Sequence, residues 1–179
     1  MIRRLGEQSL GERERKSSAI QEKVLAGREF KDAATVLIYV ALPTEVDTKY
    51  LIQKALDMGK RVGVPYIEPG EGNMTASEIN INYRLEKGPL GIKQPAPEEV
   101  KAIPLEEIDL VIVPAIAYDK NNRRLGRGKG FYDTFLAEKR KTPPQTIGVA
   151  FDFQVVEDLP HAPHDRPVDR VITDQERDG

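Results

Sequence analysis

Residues 34–41 read Ala-Thr-Val-Leu-Ile-Tyr-Val-Ala, and residues 60–67 read Lys-Arg-Val-Gly-Val-Pro-Tyr-Ile. The first is a β-branched and aromatic run without alternation, which predicts a strand from Ala34 to Ala41 covered on both faces. Pro43 ends it. Thr44, with Asp47 at the third helical position, predicts the start of a helix that carries Val46, Tyr50, Leu51, Ala55 and Met58, and Gly59 stops that helix. The chain returns as a strand over Lys60 to Ile67. Strand, helix and strand at this spacing form a βαβ unit, whose parallel strands require a right-handed crossover and helices packed on the sheet. The fold class is therefore α/β.

Upstream, Ser9 followed three residues later by Glu12 has the form of a capping box. Leu10, Ser17, Ile20, Val24 and Leu25 recur on one side of a helix running from about Leu10 to Ala26. Downstream, a turn at Pro69-Gly70 precedes Ile79, Ile81, Tyr83 and Leu85, whose strict alternation predicts a strand with one wet face, towards an edge of the sheet. Lys87 to Pro97 reads as a Gly/Pro loop. Ile108 to Val113 is the second continuous apolar strand, Phe131 to Arg140 a helix, Thr146 to Phe151 a short strand, Asp158 to Pro167 a loop and Arg170 to Thr173 a last strand. At 179 residues, with 39% hydrophobic and 31% charged side chains, the chain has the length and apolar content for one core. No repeat or linker divides it, so a single domain spanning residues 1–179 is expected.

The charge balance is 27 basic against 29 acidic side chains, net −2, which excludes a generally basic nucleic-acid coat. There is no cysteine, so disulfides, thiolate metal sites and cysteine nucleophiles are excluded together. A cysteine-free chain suits a reducing compartment, and a cytoplasmic location is expected. The longest apolar runs are about half the roughly 20 residues of a membrane-spanning helix, and no secretory signal opens the chain.

Chemistry concentrates in residues 123–133, Arg-Arg-Leu-Gly-Arg-Gly-Lys-Gly-Phe-Tyr-Asp. Gly126, Gly128 and Gly130 alternate with Arg127 and Lys129 directly before a helix. Glycines let backbone approach a ligand closely, exposed N–H groups attract anions, and the two cations supply charge for a polyphosphate. The spacing is neither that of a Walker A loop nor that of the dinucleotide fingerprint. A basic surface turn is the plainer alternative. His161 and His164 lack both cysteine partners and a His-Glu-x-x-His spacing, so zinc is not expected.

The stretch Val113-Pro114-Ala115-Ile116-Ala117-Tyr118-Asp119, followed by Arg124 through Asp133, resembles the signature of the 5-formyltetrahydrofolate cyclo-ligases, also called 5,10-methenyltetrahydrofolate synthetases. Glu45-Val46-Asp47-Thr48, Gly91-Ile92, Gln154 and His164-Asp165 extend the resemblance over nearly the whole chain. The chain departs from the family pattern at Ala115 and Asn122, where glycine is usual, and at Gln94, where glutamate is common. Asparagine tolerates the left-handed turn that a glycine would supply.

The resemblance implies a three-layer α/β/α fold with a mainly parallel sheet. It also implies an ATP- and Mg²⁺-dependent conversion of 5-formyltetrahydrofolate to 5,10-methenyltetrahydrofolate, with release of ADP and phosphate. A formamide is a poor electrophile, and phosphorylation of the formyl oxygen to an iminium phosphate lets the second folate amine attack. Phosphoryl transfer asks the protein mainly for positioning and charge neutralisation.

On this reading Arg127 and Lys129 are catalytic. Arg124, Leu125, Gly126, Arg127, Gly128, Lys129, Gly130, Phe131 and Tyr132 form the ATP cradle. Val40 and Glu45 meet the folate, together with Arg127, Gly128, Lys129, Gly130 and Phe131. Asp133 and Asp165 match the Mg²⁺ positions, carboxylate oxygen being the hard ligand this cation prefers. For Glu45 and Asp133 taken alone, a charge at a helix start is the plain alternative; for Asp165 it is a loop side chain.

The family's Lys-x-x-x-Arg segment would lie upstream of Met1, so weaker ATP binding is expected, with Arg3 and Arg4 as partial substitutes. Expected partners are the small-molecule folate alone, with no nucleic acid and no membrane, and a monomeric state. Two rivals stay open: another ATP-using enzyme on the same scaffold, and a non-catalytic phosphate- or RNA-binding module.

Overall fold

The computed structural model describes residues 1–70, 73–138, 141–160 and 166–176. Its helices are α1 (Ile2–Glu7), α2 (Leu10–Ala26), α3 (Arg28–Asp32), α4 (Lys49–Asp57) and α5 (Phe131–Ala137). The strands are β1 (Thr35–Ile38), β2 (Arg61–Ile67), β3 (Met74–Ile79), β4 (Glu86–Lys87), β5 (Lys93–Gln94) and β6 (Leu110–Val113), then β7 (Ala117–Asp119), β8 (Arg124–Leu125), β9 (Gln145–Ala150), β10 (Val155–Val156) and β11 (Arg170–Thr173).

Six strands form the main sheet in the order β11-β9-β6-β1-β2-β3. All neighbours are parallel except β2 and β3, which pair antiparallel at one edge. Every residue of β1 and β6 is buried, as central strands covered on both faces must be. The expected α/β/α class with a mainly parallel sheet is met. A smaller sheet, β10-β7-β8, is appended beyond the end of β6, and β4 pairs with β5 in a short hairpin.

The chain runs from β1 to β2 on one side and then crosses to β6 on the other side of β1, so strand order reverses between β1 and β6. In open α/β sheets ligands bind outside the carboxyl ends of the strands at such a reversal.

Several elements are shorter than, or displaced from, their sequence-based expectations. α2 matches its expected span, and Ser9 Oγ accepts from Glu12 N at 3.2 Å, but the Glu12 carboxylate turns to Lys16 instead of closing the box. Leu10 is 62% exposed; the buried face is Ser17, Ile20, Gln21 and Val24. α4 begins at Lys49, not Thr44, because the Thr48 hydroxyl donates to Tyr39 O and so ties the helix start back to the sheet. Tyr50 and Met58 are consequently exposed, and Leu51, Ile52 and Ala55 carry the packing.

The alternating run Ile79–Leu85 is not a strand. Asn80 Oδ1 accepts from Asn82 N, and Tyr83 N donates to Asn80 O, so an asparagine-initiated turn stops β3 at Ile79. The edge strand lies earlier, at Met74–Ile79, where it pairs with β2. The helix expected to reach Arg140 ends at Ala137, and residues 139 and 140 lie outside the described residues.

Candidate active site

A cavity of about 340 Å³ opens at the reversal between β1 and β6. Its floor comes from residues just past the strand ends: Tyr39, Val40 and Glu45 after β1, and Pro114 and Ala115 after β6. One wall is the segment Arg124–Asp133; the facing wall is apolar, with Pro65, Ile67, Met74, Leu90 and Ile92. All the expected site residues within the described chain, from Val40 and Glu45 to Arg124 through Asp133, therefore line one cavity. Asp165, with His161 and His164, lies outside the described residues.

Glycine is required at two points of the charged wall. Gly128 and Gly130 have φ of +80° and +69°, the left-handed region closed to most side chains. Asn122 has φ +60°, the conformation expected of an asparagine in place of glycine. Ala115 has no positive φ, so the glycine it replaces is not required there for conformation. Its carbonyl instead accepts from Gln154 Nε2 at 3.0 Å, which anchors the segment after β6.

Glu45 does not stand at a helix start. It closes a turn in which Glu45 N donates to Leu42 O and Glu45 Oε2 accepts from Leu42 N at 2.9 Å, three residues before Thr48 caps α4. This turn aims its other oxygen at the glycine loop, where Oε1 accepts from Arg127 Nε at 3.1 Å. Helix-dipole compensation is thereby excluded as its role.

Arg124, with a side chain only 5% exposed, donates to Asp133 Oδ1 at 2.6 Å, and its guanidinium lies 5.6 Å from the centroid of the Tyr132 ring. Arg124 Nε and Tyr132 Oη are both buried without a hydrogen-bond partner among the described residues. Burial pushes the Tyr132, Tyr118 and Tyr39 hydroxyls well above the ordinary phenol range, so all three remain neutral donors. Tyr118 donates to Val113 O and Tyr39 to Val46 O. Lys129 is exposed at the tip of the loop with no ion-pair partner among the described residues.

The donor set suits a phosphorylated ligand: three cations and a glycine backbone on one side of the cavity, with two orphaned buried donors in the same wall. Among the described residues no three His, Cys, Asp or Glu side chains converge on a metal position. A single carboxylate, Asp133, is still a fitting anchor for Mg²⁺, which keeps water and phosphate oxygens as its remaining ligands. Sequence reading missed the apolar wall of Leu90 and Ile92. Leu90 has φ +59° beside Gly91 at +78°, a pairing with no signature in a Pro-Leu-Gly-Ile run.

Fold and cavity together define an α/β enzyme with an Arg/Lys/Gly loop at the sheet's switch point. The family model for the 5-formyltetrahydrofolate cyclo-ligase family matches residues 1–174. The 5-formyltetrahydrofolate cyclo-ligase of Mus musculus is 30% identical over 177 residues, covering 94% of this chain and 87% of that protein. The Escherichia coli K12 protein of the same name is 34% identical over 142 residues, 79% of this chain and 78% of the relative. The structure of a 5,10-methenyltetrahydrofolate synthetase from Aquifex aeolicus superposes with a TM-score of 0.83 at 30% identity, covering 99% of this chain and 90% of that one. A synthetase structure from Mycoplasma pneumoniae shares the fold with a TM-score of 0.77 at 22% identity, covering 97% and 94%.

The chain belongs to the 5-formyltetrahydrofolate cyclo-ligase family, and it is a ligase of folate one-carbon metabolism. Among its described residues no helix is long and apolar enough to cross a membrane.

Proposed function

We propose that this enzyme converts 5-formyltetrahydrofolate to 5,10-methenyltetrahydrofolate with consumption of ATP in the presence of Mg²⁺, through a phosphorylated formyl group, in the cytoplasm. The observation that carries this reading is the meeting of Glu45 and the Arg124–Asp133 loop in one cavity, with an apolar wall opposite the charged one. A folate needs the first and third; a triphosphate needs the second.

ATP supplies the phosphoryl group that makes the formyl oxygen a leaving group, and Mg²⁺ offsets charge on the phosphate oxygens. Arg127 and Lys129 lie on the loop tip, where they neutralise charge that spreads over the transferred group. The arginine fork binds two oxygens at once. Arg124, fixed by Asp133 and stacked over Tyr132, holds the phosphates from the buried side. The loop backbone from Leu125 to Phe131 shapes the cradle, with its left-handed glycines keeping Cβ atoms away from the ligand. Asp133 is the described carboxylate placed to hold the metal. Glu45 accepts from pterin N–H groups, with Val40 beside it on the cavity floor.

Following methenyltetrahydrofolate absorbance after adding ATP, Mg²⁺ and 5-formyltetrahydrofolate tests this directly. Product should appear only with all three. Formation without ATP, or ATP turnover with no methenyl product, would refute it.

A further inference from the structure

The apolar wall of the cavity is carried by a hairpin that has little of its own to hold it. β4 and β5 are two residues each, with Glu86 opposite Gln94 and Lys87 opposite Lys93. Like charges directly across an antiparallel pair disfavour it. Between the strands, Leu90 at φ +59° and Gly91 at +78° turn the chain, and Leu90 is 55% exposed at the cavity. Something beyond its own strand pairing must fix its register.

That fixture is the Gln94 side chain. It is 4% exposed, and its amide bonds both backbone groups of one residue of β2: Oε1 accepts from Ile67 N at 3.0 Å, and Nε2 donates to Ile67 O at 3.2 Å. β1 pairs with β2 only as far as Gly63, so the edge of β2 beyond it has no strand to satisfy its backbone groups. A side-chain amide stands in for that strand. From the other side, Gly88 closes over the amide so tightly that a Cβ there would collide with Gln94. The amide is clamped between the backbone of the hairpin and the backbone of the sheet.

We propose that Gln94 is a positioning residue for the folate: by pairing with Ile67 it sets the hairpin so that Leu90 and Ile92 form the wall on which the substrate's flat ring rests. The inference builds on the functional reading above, since it takes the apolar wall for the folate side and the Arg/Lys loop for the phosphate side. Gln94 touches no ligand itself. It acts through two residues that line the cavity, and only an amide carries a donor and an acceptor with this spacing at every working pH.

The test compares wild type, Gln94→Leu, Gln94→Glu, Leu90→Ala and the Gln94→Leu/Leu90→Ala double variant in the methenyl-forming assay. Gln94→Leu should raise KM for 5-formyltetrahydrofolate at least about fivefold while kcat and KM for ATP stay within about twofold, because ground-state contacts on one substrate are lost. Gln94→Glu, which keeps the acceptor and removes the donor, should fall between, and it serves the same purpose if the leucine variant does not fold. In the Leu90→Ala background the Gln94 change should cost markedly less, since the two act through one wall.

An unchanged folate KM, an equal rise in both KM values, or additive effects of the two substitutions would each overturn the proposal while leaving the functional assignment intact. Absence of methenyl formation by the wild type would instead remove the assignment, and this inference with it.

Discussion

Arg127 Nε donates to Glu45 Oε1 at 3.1 Å, so the loop proposed to hold phosphate is bonded to the carboxylate proposed to hold folate. Glu45 is 11% exposed and held from behind by Leu42 N, whereas the Arg127 side chain is 41% exposed. The carboxylate is the fixed member and the arginine the adaptable one. Glu45→Gln should therefore weaken folate more than ATP, raising KM for 5-formyltetrahydrofolate about tenfold, the order expected when a hydrogen bond to a charged group is lost. Equal folate affinity of the two proteins would contradict the placement of the pterin at Glu45.

The two loop cations should separate in their effects. Either Arg127→Ala or Lys129→Ala should lower turnover by at least about tenfold, equivalent to about 1.4 kcal/mol of transition-state stabilisation. Arg127→Ala also strips a partner from Glu45, so its folate KM should rise further than that of Lys129→Ala. Steady-state kinetics on both substrates decide this. Unchanged turnover in a folded variant removes the phosphate role of that residue.

Asp133 accepts from Arg124 at 2.6 Å and is also the carboxylate proposed to hold the metal. Asp133→Asn should raise the Mg²⁺ concentration needed for half-maximal rate, because one formal ligand charge is gone. It should also lower stability by roughly 1–2 kcal/mol: the Arg124 charge stays buried with a poorer partner, and the loss is moderated because Asp133 is about one-third exposed. A Mg²⁺ titration superimposable on wild type, together with the stability loss, would leave Asp133 a purely structural role.

Strands with both faces covered were legible because burial writes itself into composition: β1 and β6 fall within the runs expected of them, and the edge strand β11 has the span expected of it. The βαβ unit followed from spacing. Glu45 and the Arg/Gly/Lys loop were legible as residues that would meet in one cavity, although α4 starts at Lys49 and not at Thr44. Local turns won where side-chain hydrogen bonds outbid periodicity, as at Asn80 and at Thr48. The apolar wall was illegible for a different reason. Leu90 and Ile92 line the cavity from a hairpin whose Gln94 reaches Ile67, 27 positions away in the chain, and no local pattern encodes that contact.

The three buried tyrosines beneath the cavity set an alkaline limit on the fold. Desolvation raises Tyr39, Tyr118 and Tyr132 above the ordinary value of 10.0. In the unfolded chain they ionise from about pH 10. Between that point and their native pKa values the unfolded state binds fewer protons than the native state, so stability falls as pH rises, by up to about 1.4 kcal/mol per pH unit for each. Below about pH 10 their contribution is complete and flat. Spectrophotometric titration should show these tyrosines ionising only together with loss of the native circular dichroism. Full tyrosinate absorbance in a still-folded protein would show that they are not sealed.

Gly148 lies in the middle of β9 opposite Val113, and here glycine is needed for space, not for φ. A Cβ at this position would stand 2.5 to 2.7 Å from the Tyr118 ring and hydroxyl, well inside van der Waals contact. Tyr118 cannot give way, since it is fully buried and its hydroxyl is fixed on Val113 O at 2.7 Å. Gly148→Ala should therefore destabilise by about 1–3 kcal/mol, the usual cost of overpacking a core. Tyr118 sits on β7, whose neighbour β8 carries Arg124, so the strain should also reach the glycine loop. The variant should show a lower denaturation midpoint together with reduced turnover. Gly148→Ala/Tyr118→Phe should recover little, because two of the three clashing atoms belong to the ring. A Gly148→Ala midpoint equal to wild type would mean that β7 and β9 slide apart without cost, and that no strain passes through Tyr118 to the loop.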